Sequence, residues 1–90
     1  MLNKTLRALI IDPDPRVLAD AAGVFAGRGF RVAGRIAPDD ALEYVHRARP
    51  NVVLLGESFW KEGWGPEIQR VAPGIVVVPL GRRPEAAGVA

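Results

Sequence analysis

Apolar positions along this chain follow two rhythms that take turns. Arg7-Ala-Leu-Ile-Ile-Asp12 is a short run of branched side chains that stops at Pro13-Asp14-Pro15, as a strand buried on both faces would. Asp14 followed by Pro15 then predicts a helix start, an acceptor for the first free N–H groups followed by a residue that needs none. Leu18, Ala21, Ala22 and Phe25 fall at i, i+3, i+4 and i+7, one apolar stripe, and Gly27 and Gly29 supply its stop. From Phe30 to Ala37 apolar and polar residues alternate, which predicts a strand near a sheet edge. Pro38-Asp39-Asp40 opens a second helix with negative charge at its positive pole. Ala41, Leu42, Val45 and Ala48 form its buried stripe, and Arg47 and Arg49 suit the other pole before Pro50 ends it.

Asn51-Val-Val-Leu-Leu-Gly56 repeats the continuous apolar run and predicts a central strand. The stretch from Glu57 to Pro66, dense in aromatics and glycine, reads as a long loop, with only a short helix from Pro66 to Val71. Ile75 to Val78, entered through Pro73-Gly74, is a further buried-type strand. The order βαβαβαβ implies an open parallel sheet with right-handed crossovers and helices on both faces, three layers in all. It occupies residues 1–81, and residues 82–90 form a Gly, Arg, Pro and Ala tail. In such sheets the working site lies beyond the C-terminal ends of the strands. Here those ends are Asp12-Pro13-Asp14, Gly56-Glu57-Ser58 and Pro79-Leu80-Gly81.

Composition narrows the chemistry. Ninety residues with 49% hydrophobic and 24% charged side chains make one small globular domain, which hides only about 60–70% of its unfolded surface and has a thin stability margin. With no cysteine there is no disulfide framework and no thiolate metal site, so a reducing cytoplasm is the expected location. The first apolar run is broken by Arg7 and closed by Asp12, too short for a signal-peptide core or a membrane span. His46, Ser58, Thr5 and Tyr44 are each the sole residue of their type. A zinc site would have to be built from carboxylates around His46. Gly56-Glu57-Ser58-Phe59-Trp60 stops one glycine short of a nucleophile elbow, and His46 lies on the exposed side of its helix, so a hydrolase is not expected. Gly27-Arg28-Gly29 and Gly63-Trp64-Gly65 lack the full set of phosphate-loop glycines and read as turns. A net charge of +2 gives nucleic acid little to hold beyond Arg82 and Arg83 in the tail.

In order and spacing, the pieces Arg7-Ala-Leu-Ile-Ile-Asp-Pro-Asp-Pro15, Gly29-Phe-Arg-Val32, Asp40-Ala-Leu42, Arg49-Pro-Asn-Val-Val-Leu-Leu55 and Pro73-Gly-Ile-Val-Val-Val78 resemble a receiver domain of two-component response regulators. The resemblance implies a flavodoxin-like (CheY-like) sheet ordered 2-1-3-4-5, here truncated after the fourth strand. It also implies a phosphoryl-accepting aspartate after β3, two acidic residues after β1 that hold magnesium, a hydroxyl after β4 and a lysine after β5. In this chain the acceptor position is Gly56. Asp12 matches the first acidic position, but Pro13 stands at the second, with Asp14 displaced by one. Pro79 and Leu80 stand where the hydroxyl belongs, and no β5 follows.

Magnesium-assisted phosphoryl transfer needs a carboxylate nucleophile and charge to hold the metal. Gly56 removes the first and Pro13 weakens the second, while Glu57 is a poor substitute because its longer side chain leaves at another angle. The expectation is a non-catalytic pseudo-receiver that binds no cofactor and no small-molecule substrate, acting by protein contact in signalling or transcriptional regulation. Asp12 is at most a weak cation ligand, and Asp14 is first a helix cap. Contact candidates are Phe59, Trp60 and Trp64 above the sheet, Val76 and Val78 on β4, and Arg82 and Arg83. An uncovered last strand calls for a partner, a second copy or another regulatory protein, with neither membrane nor nucleic acid expected. The rival readings are a nucleic-acid accessory protein using its arginine tail and an atypical phosphoacceptor through Glu57.

Overall fold

The computed structural model describes residues 6–80. Strand β1 (Arg7–Ile11) leads into helix α1 (Pro15–Gly27), β2 (Arg31–Arg35), α2 (Pro38–Ala48) and β3 (Val52–Gly56). Two helices follow in succession, α3 (Glu57–Lys61) and α4 (Trp64–Val71), before β4 (Val76–Leu80). The four strands make one all-parallel sheet in the order β2-β1-β3-β4, an α/β fold of flavodoxin-like arrangement truncated after the fourth strand.

The main core lies on one face of this sheet. Leu9 and Ile11 of β1 and Val53 and Leu55 of β3 meet Ala41 and Val45 of α2 and Ile68 of α4, all at 0% exposure. The interposed residues Ala8, Ile10 and Leu54 are also buried and point to the opposite face. There α1 is anchored by Leu18, whose methyl groups lie over Gly34 of β2, and by Phe25, packed edge-on against Phe30 at 5.3 Å. Its stripe Leu18, Ala21, Ala22 and Phe25 is only half-buried, and no residue of α1 is fully buried.

Two expectations are corrected. The segment after β3 is helical where a long loop was expected. Gly56 caps α3, Glu57 and Lys61 pair across one turn at 3.5 Å, and Gly63 at φ 91° turns the chain directly into α4. The buried-type run expected at Ile75–Val78 is displaced, forming β4 at Val76–Leu80, and as an uncovered last strand it is an edge strand, with Val76 56% exposed and Val77, Val78 and Leu80 half-buried. The Val76 N–H donates to the Asn51 carbonyl, so Val78 and Leu80 also turn their N–H groups toward β3 while Val77 and Pro79 turn outward. Proline thus sits where its missing donor interrupts the open edge, which blunts strand addition there.

Helix α2 ends at Arg49, the single non-glycine residue with positive φ (50°) among the described residues, its N–H donating to the Val45 carbonyl. The left-handed conformation costs a side-chain-bearing residue about 1 kcal/mol or more, and among the described residues no ion pair of the exposed arginine offsets it. Arg49→Gly is therefore expected to raise stability by about 0.5–1 kcal/mol, read as a higher urea midpoint at unchanged m.

Candidate functional site

Parallel pairing brings three sequence-predicted positions into one row across the strand ends. Ile11 lies opposite Leu55, which lies opposite Pro79, so the next residues along, Asp12, Gly56 and Leu80, stand side by side. Asp12 is held by its own turn. Its N–H donates to the Arg35 carbonyl at 3.1 Å, and its Oδ1 accepts the Asp14 N–H at 2.9 Å across Pro13. Asp14 is engaged in turn as the N-cap of α1, accepting the Arg16 N–H at 2.9 Å, as its position before Pro15 implies.

This turn lays the Asp12 carboxylate over Gly56. A Cβ placed on Gly56 would collide with Asp12 Oδ2, lie 3.0 Å from its Cγ and 3.1 Å from the Ile11 carbonyl oxygen. Gly56 is itself buried. The volume in which a side chain from the end of β3 would rise is thus filled by a side chain from the end of β1. Leu80 completes the row with a half-buried hydrocarbon. The row contains one carboxylate and neither a second acid nor a hydroxyl, so it offers a metal few ligands, and the position at the end of β3 itself carries no nucleophile. Among the described residues no group of three or more His, Cys, Asp or Glu side chains is placed to hold a metal ion.

The remaining candidates are dispersed. Glu57 is the first residue of α3 and pairs with Lys61, while Ser58 is exposed one position further on. His46 lies exposed in the last turn of α2, at the opposite end of the sheet from Ser58, so the two do not form a nucleophile and base. Phe59 and Trp64 pack against the main core, and the Trp64 indole N–H donates to Glu62 Oε1 at 3.3 Å. Trp60 faces outward at 41% exposure, its ring covering Gly65, where an added Cβ would lie 3.4 Å from it. Arg82, Arg83 and the tail 82–90 lie outside the described residues. A shallow depression of about 240 Å³ between Arg49–Asn51 and Ala72–Ile75 lies at the N-terminal ends of β3 and β4, away from the row.

Sequence reasoning did not anticipate the Asp12 side chain filling the space over Gly56. A glycine after a strand reads only as a missing group, and the strand register needed to see what replaces it is not written in either segment alone. It also missed Arg35, whose guanidinium stacks 4.9 Å above the Tyr44 ring and fixes the end of β2 against α2.

No family model matches the chain. Protein Rrf1 of Nitratidesulfovibrio vulgaris (strain Hildenborough) is 30% identical to it over 77 residues, an alignment that covers 82% of this chain and 55% of that protein. The chain thus spans little more than half the length of the curated relative it matches. Among the described residues no helix is long and apolar enough to cross a membrane.

Proposed function

We propose that the chain is a pseudo-receiver, a receiver-like domain without phosphoryl chemistry that acts through protein contact in a cytoplasmic signalling or transcriptional regulator. The observation that carries this reading is the Asp12 carboxylate lying over Gly56. The position that the receiver resemblance assigns to the nucleophile has no side chain, and its space is taken. Glu57 does not take over the role, because it begins a separate helix and is paired with Lys61. The surfaces left for a partner, whether a second copy or another regulatory protein, are the half-covered α1 face, the sheet face of β4 at exposed Val76 and half-buried Val78, and outward-facing Trp60.

Beryllofluoride with magnesium, a mimic of an aspartyl phosphate, tests the reading on the 90-residue chain. The amide NMR spectrum is expected to stay unchanged at saturating reagent. Shifts centred on Asp12, Gly56 and Glu57 would overturn the proposal.

A further inference from the structure

Helix α1 carries a stripe that the other described residues leave uncovered. Asp20, Val24 and Arg28 follow one another at four-residue spacing along its outer side, the last capping the helix, and all are exposed, Val24 at 56%. Residues at this spacing form one of the ridges by which helices pack together. Asp20 and Arg28 belong to none of the ion pairs among the described residues. Beside this ridge stand Gly23 and Gly27, and a Cβ added at either would meet nothing within 4 Å.

Inside a helix glycine is less favourable than alanine, and at Gly23 neither positive φ nor internal crowding calls for it, while Gly27 as the last residue of α1 also serves the helix stop. A flat strip of glycine on an exposed helix serves the close approach of something from outside. The flanking charges say what fits. Asp20 and Arg28 stand four residues before and after Val24, so the stripe runs negative, apolar, positive. Turned by half a revolution about Val24, it becomes its own complement, which is the requirement for a twofold interface in which the same patch serves both subunits.

We propose that α1 is a self-association surface. A second copy lays its α1 antiparallel across the Gly23–Gly27 strip, on a twofold axis at Val24, with Asp20 facing the partner's Arg28. Val17, seven residues before Val24 and 36% exposed, adds an apolar residue at the outer end of the stripe, beyond Asp20. The inference names the partner for the interaction module proposed above and rests on that reading for its purpose, but not for its test. A beryllofluoride response would remove the pseudo-receiver reading and leave a dimer standing.

Sedimentation equilibrium of the 90-residue chain at low salt, from micromolar to millimolar concentration, is the measurement. A single helix pair is a small interface, so the wild type is expected to be a dimer that dissociates on dilution. Asp20→Arg places two like-charged pairs across the twofold axis, and so does Arg28→Asp; each is expected to weaken association by about tenfold or more. The double variant Asp20→Arg with Arg28→Asp restores opposite pairs and is expected to recover wild-type association. Gly23→Ala is expected to raise the thermal midpoint of the monomer while weakening the dimer. All these positions are exposed, and far-UV circular dichroism checks that each variant is folded. A wild type that stays monomeric at millimolar concentration overturns the proposal. So does a dimer that survives both single charge reversals, or a double variant that fails to recover.

Discussion

Truncating Leu55 to alanine is expected to remove a large part of the stability of the whole domain. Leu55 sits in β3 at 0% exposure, between Ile11 on the neighbouring strand and the side chains that α2 and α4 bring onto that face. Removing a buried leucine side chain costs about 3–5 kcal/mol, because the transfer energy is lost and the surrounding helices do not fully close the void. A domain of this size holds only about 5–13 kcal/mol in total. The urea midpoint is therefore expected to fall by about 2 M or more, with an m-value near 1–1.5 kcal/mol/M. Val76→Ala, a truncation on the exposed side of β4, serves as the contrast and is expected to cost under about 1 kcal/mol. If Leu55→Ala costs no more than Val76→Ala, the core is not where the buried side chains place it.

That contrast also marks how far the fold could be read from the residues. β1 and β3 were legible because both lie inside the sheet, and burial on both faces leaves the continuous apolar runs Ala8–Ile11 and Val52–Leu55. The run at Ile75–Val78 has the same appearance, yet it ends in an edge strand displaced toward Leu80. Apolar residues record the capacity for burial, not whether a neighbour is present to provide it. Helix α3 escaped because five residues are too few for a helical period to show. What holds it is local, the Glu57–Lys61 pair between Gly56 and Gly63. At the strand ends, the residue types were legible and their mutual placement was not. Asp12 and Gly56 are 44 positions apart, and only the pairing of Ile11 with Leu55 lays one over the other.

Restoring a carboxylate at the end of β3 is accordingly expected to damage the protein before it restores any chemistry. In Gly56→Asp the new Cβ enters the space of the Asp12 carboxylate and approaches the Ile11 carbonyl, which belongs to the central strand and cannot swing aside. Asp12 can withdraw only by releasing the Asp14 N–H, and a second negative charge then stands beside the first. Crowding of this kind costs about 1–3 kcal/mol, and the like charges add to it at neutral pH. Gly56→Ala isolates the steric part and is expected to cost less than Gly56→Asp. A double-mutant cycle with Asp12→Ala separates a clash from a general intolerance of side chains at this position. With the carboxylate gone the alanine at 56 loses its worst clash and keeps only the 3.1 Å approach to the Ile11 carbonyl, so the double variant is expected to be more stable than the two single losses sum to. Strictly additive losses would mean that Asp12 does not fill the space over Gly56, and the geometric basis for a closed acceptor site would go with it.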